Sequence, residues 1–119
     1  FLLVLRIRRA LFSLEDFSLK QSRTECGIAL VEQKFYGKGY ATEIVAAMLE
    51  FLFNKINLNR IYIRYIEGNV RSYKLFNKLG FKYEGCLRKH IKRNHRYLDM
   101  NYMGLLKSEY LAMKNVEEP

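Results

Sequence analysis

The chain is short of the residues that interrupt or staple a fold. Among its 119 residues are one proline, at the last position, two cysteines and no tryptophan. With no proline-rich or low-complexity stretch to act as a linker, a single ordered domain over residues 1–119 is expected. Cys26 and Cys86 stand far apart and form no CxxC pair. They read as two free thiols in a reducing, cytoplasmic compartment. No apolar run approaches the roughly 20 residues that cross a bilayer, so no membrane partner is expected. Acidic residues are the scarcer charge: 12 Asp and Glu against 21 Lys and Arg, for a net charge of +9. Such an excess suits an anionic partner, a phosphorylated cofactor among them. No nucleic-acid-binding motif accompanies it, so nucleic acid is not expected.

Half the chain is hydrophobic and 14% aromatic. At this length about two thirds of the unfolded surface can be buried, enough for one core. The opening, "FLLVLRIRRALFSL", puts its arginines after the apolar run, the reverse of a signal peptide. It reads as a strand at the start of a chain that lacks its natural beginning.

"ECGIALVE" (25–32) is short, apolar and strand-like. In the next segment Ile44, Met48 and Leu52 recur every four residues beside Val45 and Leu49, which predicts a helix of about four turns. "RIYIRYIE" (60–67) is apolar on both alternating faces and predicts an interior strand covered on both sides. "GNVRSYKLFNKLGF" predicts a second helix, capped by Asn69 and ended by Gly80. "FKYEGCLRKHIK" and "RYLDMNYMGLL" predict two strands turning at Asn94-His95. Strand–helix–strand implies a parallel crossover and the end implies an antiparallel hairpin, so the fold class is α/β (α+β) with a mixed sheet flanked by helices.

Between the 25–32 strand and the first helix stands "FYGKGYATE" (35–43). The first turn of a helix has unpartnered backbone N–H groups and partial positive charge. Glycines before it let a phosphate approach those donors. The spacing matches neither a Walker A loop nor GxGxxG, since Thr42 stands where a third glycine would fall. A phosphate cradle and a plain glycine turn are both compatible with these residues.

"GIALVE", "YGKGYATE", "NVRSYKLFNKLGF" and "EGCLRKHI…DMNYMGLL", in that order over about residues 23–111, resemble the GNAT N-acetyltransferases. The closer likeness is to the branch of ribosomal-protein N-terminal and spermidine acetyltransferases. That resemblance implies acetyl-CoA as co-substrate, an amine acceptor and no metal. It also implies that the family's N-terminal strand and helices are missing here, which would expose apolar surface and allow a homo-oligomer. Lys34 takes the first place of the family's Gln/Arg-x-x-Gly-x-Gly/Ala motif. The amides of Gly37, Lys38, Gly39, Tyr40 and Ala41 would then hold the pyrophosphate. Ala29, Leu30 and Val31 would pair with the pantetheine arm, and Asn69, Ser72 and Phe76 would touch the cofactor from the second helix.

Acetyl transfer needs a neutral amine, and a lysine-like amine is neutral in only about one molecule in 2,500 at pH 7. Glu25 is the candidate base, against the plainer reading of a strand-end carboxylate. Relatives often carry a tyrosine as general acid in "LYxKLGF"; this chain has Phe76 there, which cannot donate a proton. Ser72, one turn earlier, is the candidate acid instead, and Tyr73 is expected in the core. His90 and His95 lack further ligands for a metal set. The function so read is acetyl transfer from acetyl-CoA to a primary amine, whether a protein N-terminus, a polyamine or another small amine, by direct attack. The alternative is an incomplete or degenerate GNAT domain that binds CoA with little catalysis.

Overall fold

The structure, a computed structural model, describes residues 2–117. Six strands, β1 (Leu2–Ile7), β2 (Ala10–Ser18), β3 (Arg23–Leu30), β4 (Arg60–Ile66), β5 (Lys82–Arg93) and β6 (Arg96–Leu106), form one sheet in the order β1-β2-β3-β4-β6-β5. Three α-helices accompany it: α1 (Tyr40–Glu50), α2 (Val70–Lys78) and α3 (Lys107–Glu117). Only β3 and β4 run parallel; the other neighbours are antiparallel. This is the mixed sheet with a C-terminal hairpin that the sequence implies.

Three differences from the sequence reading have local causes. The opening is two strands rather than one, because Arg8 takes a left-handed φ of 51° and folds β1 back on β2. α1 continues as a turn of π-helix over Phe51–Lys55, ended by Asn57 at φ 68°. α3 follows β6 directly and was not expected. Its start is secured by Glu109, whose carboxylate accepts from the Leu106 N–H at 2.9 Å, the reach-back half of a capping box.

The sheet has one covered and one open face. Phe12, Leu14, Cys26, Ile61, Ile63, Met103 and Leu105 line the covered face. Val45, Leu49, Leu52 and Phe53 of the first helical segment pack onto them, with Phe76 of α2 and Tyr110 of α3. Fully burying one such side chain is worth about 1.5–3 kcal/mol, so this cluster supplies the fold's main stabilisation. On the open face the register carries Glu15 to Glu25 and Glu25 to Tyr62. β4 is therefore covered on one side, not two: Ile61 and Ile63 are buried, whereas Arg64 is exposed and Tyr62 half-buried. Tyr73, expected in the core, is 40% exposed.

Candidate functional site

β3 and β4 pair only at Arg23–Arg60, Thr24–Ile61 and Glu25–Tyr62. Beyond Glu25 the two strands part, although β3 continues to Leu30 and β4 to Ile66. Residues Cys26 to Leu30 thus have a ladder on the β2 side and none on the β4 side. Backbone donors and acceptors left this way can be completed by an extended polar ligand lying along the strand.

A cavity of about 320 Å³ opens at this gap. β3 contributes Ala29 and Leu30, the loop Gly37 and Gly39, the start of α1 Tyr40 and Ala41, and the start of α2 Asn69 and Ser72. Sequence reasoning named each of these. Val31, Lys34, Lys38 and Phe76 do not line it. Lys34 pairs with Glu32 at 3.3 Å, and Phe76 is buried edge-on to Phe81 with ring centroids 5.1 Å apart. Phe76 belongs to the core because the apolar face of the amphipathic α2 turns it there.

The glycines behave as a cradle requires. Gly37 and Gly39 have φ of +74° and +81°, and a Cβ on either would meet no atom within 4 Å. Packing therefore does not demand glycine here; the backbone conformation does. Gly39 is the N-cap of α1 and offers no side-chain cap, so the first N–H groups of that helix have no side-chain acceptor. At α2 the Asn69 side chain does cap, accepting from the Ser72 N–H at 3.2 Å. The Ser72 hydroxyl makes no hydrogen bond among the described residues, so it is available to a ligand in the cavity.

Glu25 lies at the apex of the gap, the last residue of β3 paired with β4, and outside the cavity lining. Its carboxylate accepts from Arg64 Nε at 2.8 Å, and a Glu15 carboxylate oxygen lies 3.6 Å from Nη2 of the same guanidinium. Burial pushes the Glu25 carboxyl above its ordinary value, and the Arg64 hydrogen bond and charge pull it back. Nearby, Asp16 accepts from Tyr62 Oη at 2.8 Å and Arg23 Nε at 2.9 Å. This polar row was missed because Tyr62 was counted as apolar. The period-two recurrence of Arg60, Tyr62 and Arg64 was the available signal.

Two further arginines also escaped the sequence reading. Arg9, in the β1–β2 turn, lies over the rings of Phe35 (5.2 Å) and Tyr40 (4.8 Å), and Arg71 over that of Tyr36 at 4.0 Å. Among the described residues no cluster of His, Cys, Asp and Glu has the makings of a metal site. Cys26 is buried in the core, where burial raises its thiol pKa, and Cys86 is exposed; both are free.

Residues 9–82 match the family model described as an acetyltransferase (GNAT) domain. Among known proteins, an uncharacterised N-acetyltransferase, p20, of Bacillus licheniformis is 38% identical over 76% of this chain and 51% of its own length. Spermidine N(1)-acetyltransferase of Vibrio cholerae is 32% identical over 69% of this chain and 47% of its own. A solved structure of a point variant of the Vibrio cholerae spermidine N-acetyltransferase superposes with a TM-score of 0.83 at 26% identity, covering 95% of this chain and 69% of that one. The chain spans about half the length of the curated relatives it matches.

Proposed function

This chain belongs to the GNAT acetyltransferase family, and from that premise we propose that it moves an acetyl group from acetyl-CoA to a primary amine by direct attack. One observation carries the reading: the cavity joins the unpaired edge of β3, the open Gly37–Gly39 backbone and the free Ser72 hydroxyl in one continuous space. When bound, acetyl-CoA supplies the activated acyl group and a thiolate leaving group. The residues here would divide the rest of the work. Backbone amides from Gly37 to Ala41 hold the diphosphate at the start of α1. The free edge of Ala29 and Leu30 pairs with the amides of the pantetheine arm. Glu25 would take a proton from the acceptor, directly or through water, so that the neutral amine attacks the thioester carbonyl, and Ser72 would give a proton to the sulfur as the C–S bond breaks.

The acceptor is a primary amine, as in the spermidine acetyltransferases this chain resembles. Glu15, Asp16, Glu25 and Glu84 on the open face outnumber Arg23, Arg60 and Arg64 there, so an otherwise basic protein presents a local patch that suits a cationic amine.

A second reading, a domain that binds CoA and catalyses little, is favoured by the Arg64–Glu25 contact, which engages the candidate base. Calorimetric titration with acetyl-CoA tests the shared premise. Thiol release with spermidine, an amino-acid amide or an N-terminal peptide then separates the two. Binding without amine-stimulated release supports the second reading and rejects the first.

A further inference from the structure

Of the residues lining the cavity, Arg71 alone carries a charge. Its guanidinium carbon lies 4.0 Å from the Tyr36 ring centroid, so it reaches from the start of α2 to the wall formed by the glycine loop. It has no carboxylate partner and no hydrogen bond among the described residues. Arg23, Arg60 and Arg64 differ, since each donates to a carboxylate at 2.6–2.9 Å. A guanidinium resting on an aromatic face is held through that face, while its five N–H donors point outward in the plane. Arg71 is thus positioned by Tyr36 and still has its donors to offer.

What those donors would meet follows from the opposite wall. Gly37 and Gly39 turn bare backbone to open space just before α1, an arrangement that attracts a compact anion. A thioester and its pantetheine arm are neutral, so neither calls for a cation. A diphosphate does, and a planar guanidinium can grip two of its oxygens at once. We infer that Arg71, held ready on Tyr36, is the side chain by which this slot selects a diphosphate-bearing acyl donor, closing on the diphosphate from α2 while the glycine loop holds it from α1. The inference rests on the acetyl-CoA reading above.

The test measures calorimetric affinities of acetyl-CoA and of acetyl-3′-dephospho-CoA, at low and high salt, for the parent, Arg71→Gln, Arg71→Lys and Tyr36→Ala. Arg71→Gln should weaken both donors by a similar factor, roughly ten- to a hundredfold, and flatten the salt dependence of each. Arg71→Lys should recover only part, because an ammonium cannot bond in the forked geometry. Tyr36→Ala should weaken both donors less than Arg71→Gln does. Unchanged affinity in Arg71→Gln overturns the inference, as does a loss confined to acetyl-CoA, which would assign Arg71 to the 3′-phosphate. A loss with unaltered salt dependence would make the role structural and overturn it too. A parent that binds neither donor brings down the acetyl-CoA reading itself; a parent that binds both, with an indifferent Arg71→Gln, brings down this inference alone.

Discussion

Arg60 and Glu84 clasp each other through two 2.6 Å hydrogen bonds across the bare backbone of Gly104. The pair ties β4 to β5 over the intervening β6, and a Cβ on Gly104 would stand 2.5 Å from Glu84 Oε2 and 2.7 Å from Arg60 Nη1. Both obstructing atoms are ends of flexible side chains, and the pair is about one-third exposed. Displacing it should therefore cost about 1 kcal/mol at most.

Gly104→Ala should accordingly stay within about 1 kcal/mol of the parent, since loss of the clasp is offset by the entropy a strand glycine no longer forfeits. Gly80→Ala should cost more. Its φ of +95° is strained for alanine whatever the space, and the end of the Met113 side chain on α3 would also have to move aside. About 2 kcal/mol or more is expected. Denaturant unfolding of both variants checks the order, and equal losses would contradict it.

Gly39→Val separates cofactor binding from folding. The Cβ added at this position would meet no atom within 4 Å and lies away from the core, but φ of +81° opposes a β-branched residue. A stability loss of about 1–2 kcal/mol should leave the protein folded at 25 °C. Acetyl-CoA affinity should fall roughly tenfold or more as the loop rearranges and the side chain fills the cradle. Circular dichroism with calorimetry reads both quantities, and normal affinity in a folded variant would move the phosphate site elsewhere.

The second helix and the hairpin were legible because local chemistry marks them. Asn69 caps as its side chain dictates, Gly80 takes the left-handed position that ends α2, and Asn94 and His95 both adopt positive φ at the turn. The β1–β2 hairpin was not legible, because its turn is built on Arg8 and Arg9, and arginine does not announce a left-handed backbone. The cavity lining was largely readable, since glycine and cap positions fix it. Its electrostatics were not. Arg64 reaches Glu25 across 39 positions of sequence and Arg71 reaches Tyr36 across 35, and no local pattern encodes such partners.

Glu25 makes a pH prediction with a definite sign. Its folded pKa is raised from 4.5, with burial outweighing Arg64. Between the unfolded and the raised folded values the native state binds the proton better than the unfolded chain. Stability from this group is therefore lost as pH rises through that window. Glu25→Gln should abolish this decline. If Glu25 is the base, kcat/KM of the parent should fall as pH drops through the raised folded value, and Glu25→Gln should lose that limb along with about 10²–10⁴ in rate. An unshifted pH–rate profile in Glu25→Gln would confine the residue to structure.

Ser72 and Phe76 allow a test of how the thiolate leaves. Ser72 lines the cavity with a hydroxyl that has no partner among the described residues, whereas Phe76, one turn along the same helix, is 3% exposed and packed against Phe81. A thiol pKa near 8.5 makes the thiolate a tolerable leaving group without much assistance. Ser72→Ala should therefore lower kcat by about tenfold or less while leaving acetyl-CoA affinity nearly unchanged. Phe76→Tyr places a hydroxyl in an apolar setting rather than in the cavity, and should cost about 1–3 kcal/mol of stability with no gain in kcat. A faster Phe76→Tyr would mean that the ring reaches the sulfur when the cofactor is bound, contrary to the packing seen here. Full activity in Ser72→Ala, with Phe76→Tyr no faster, would leave a bound water as the proton donor.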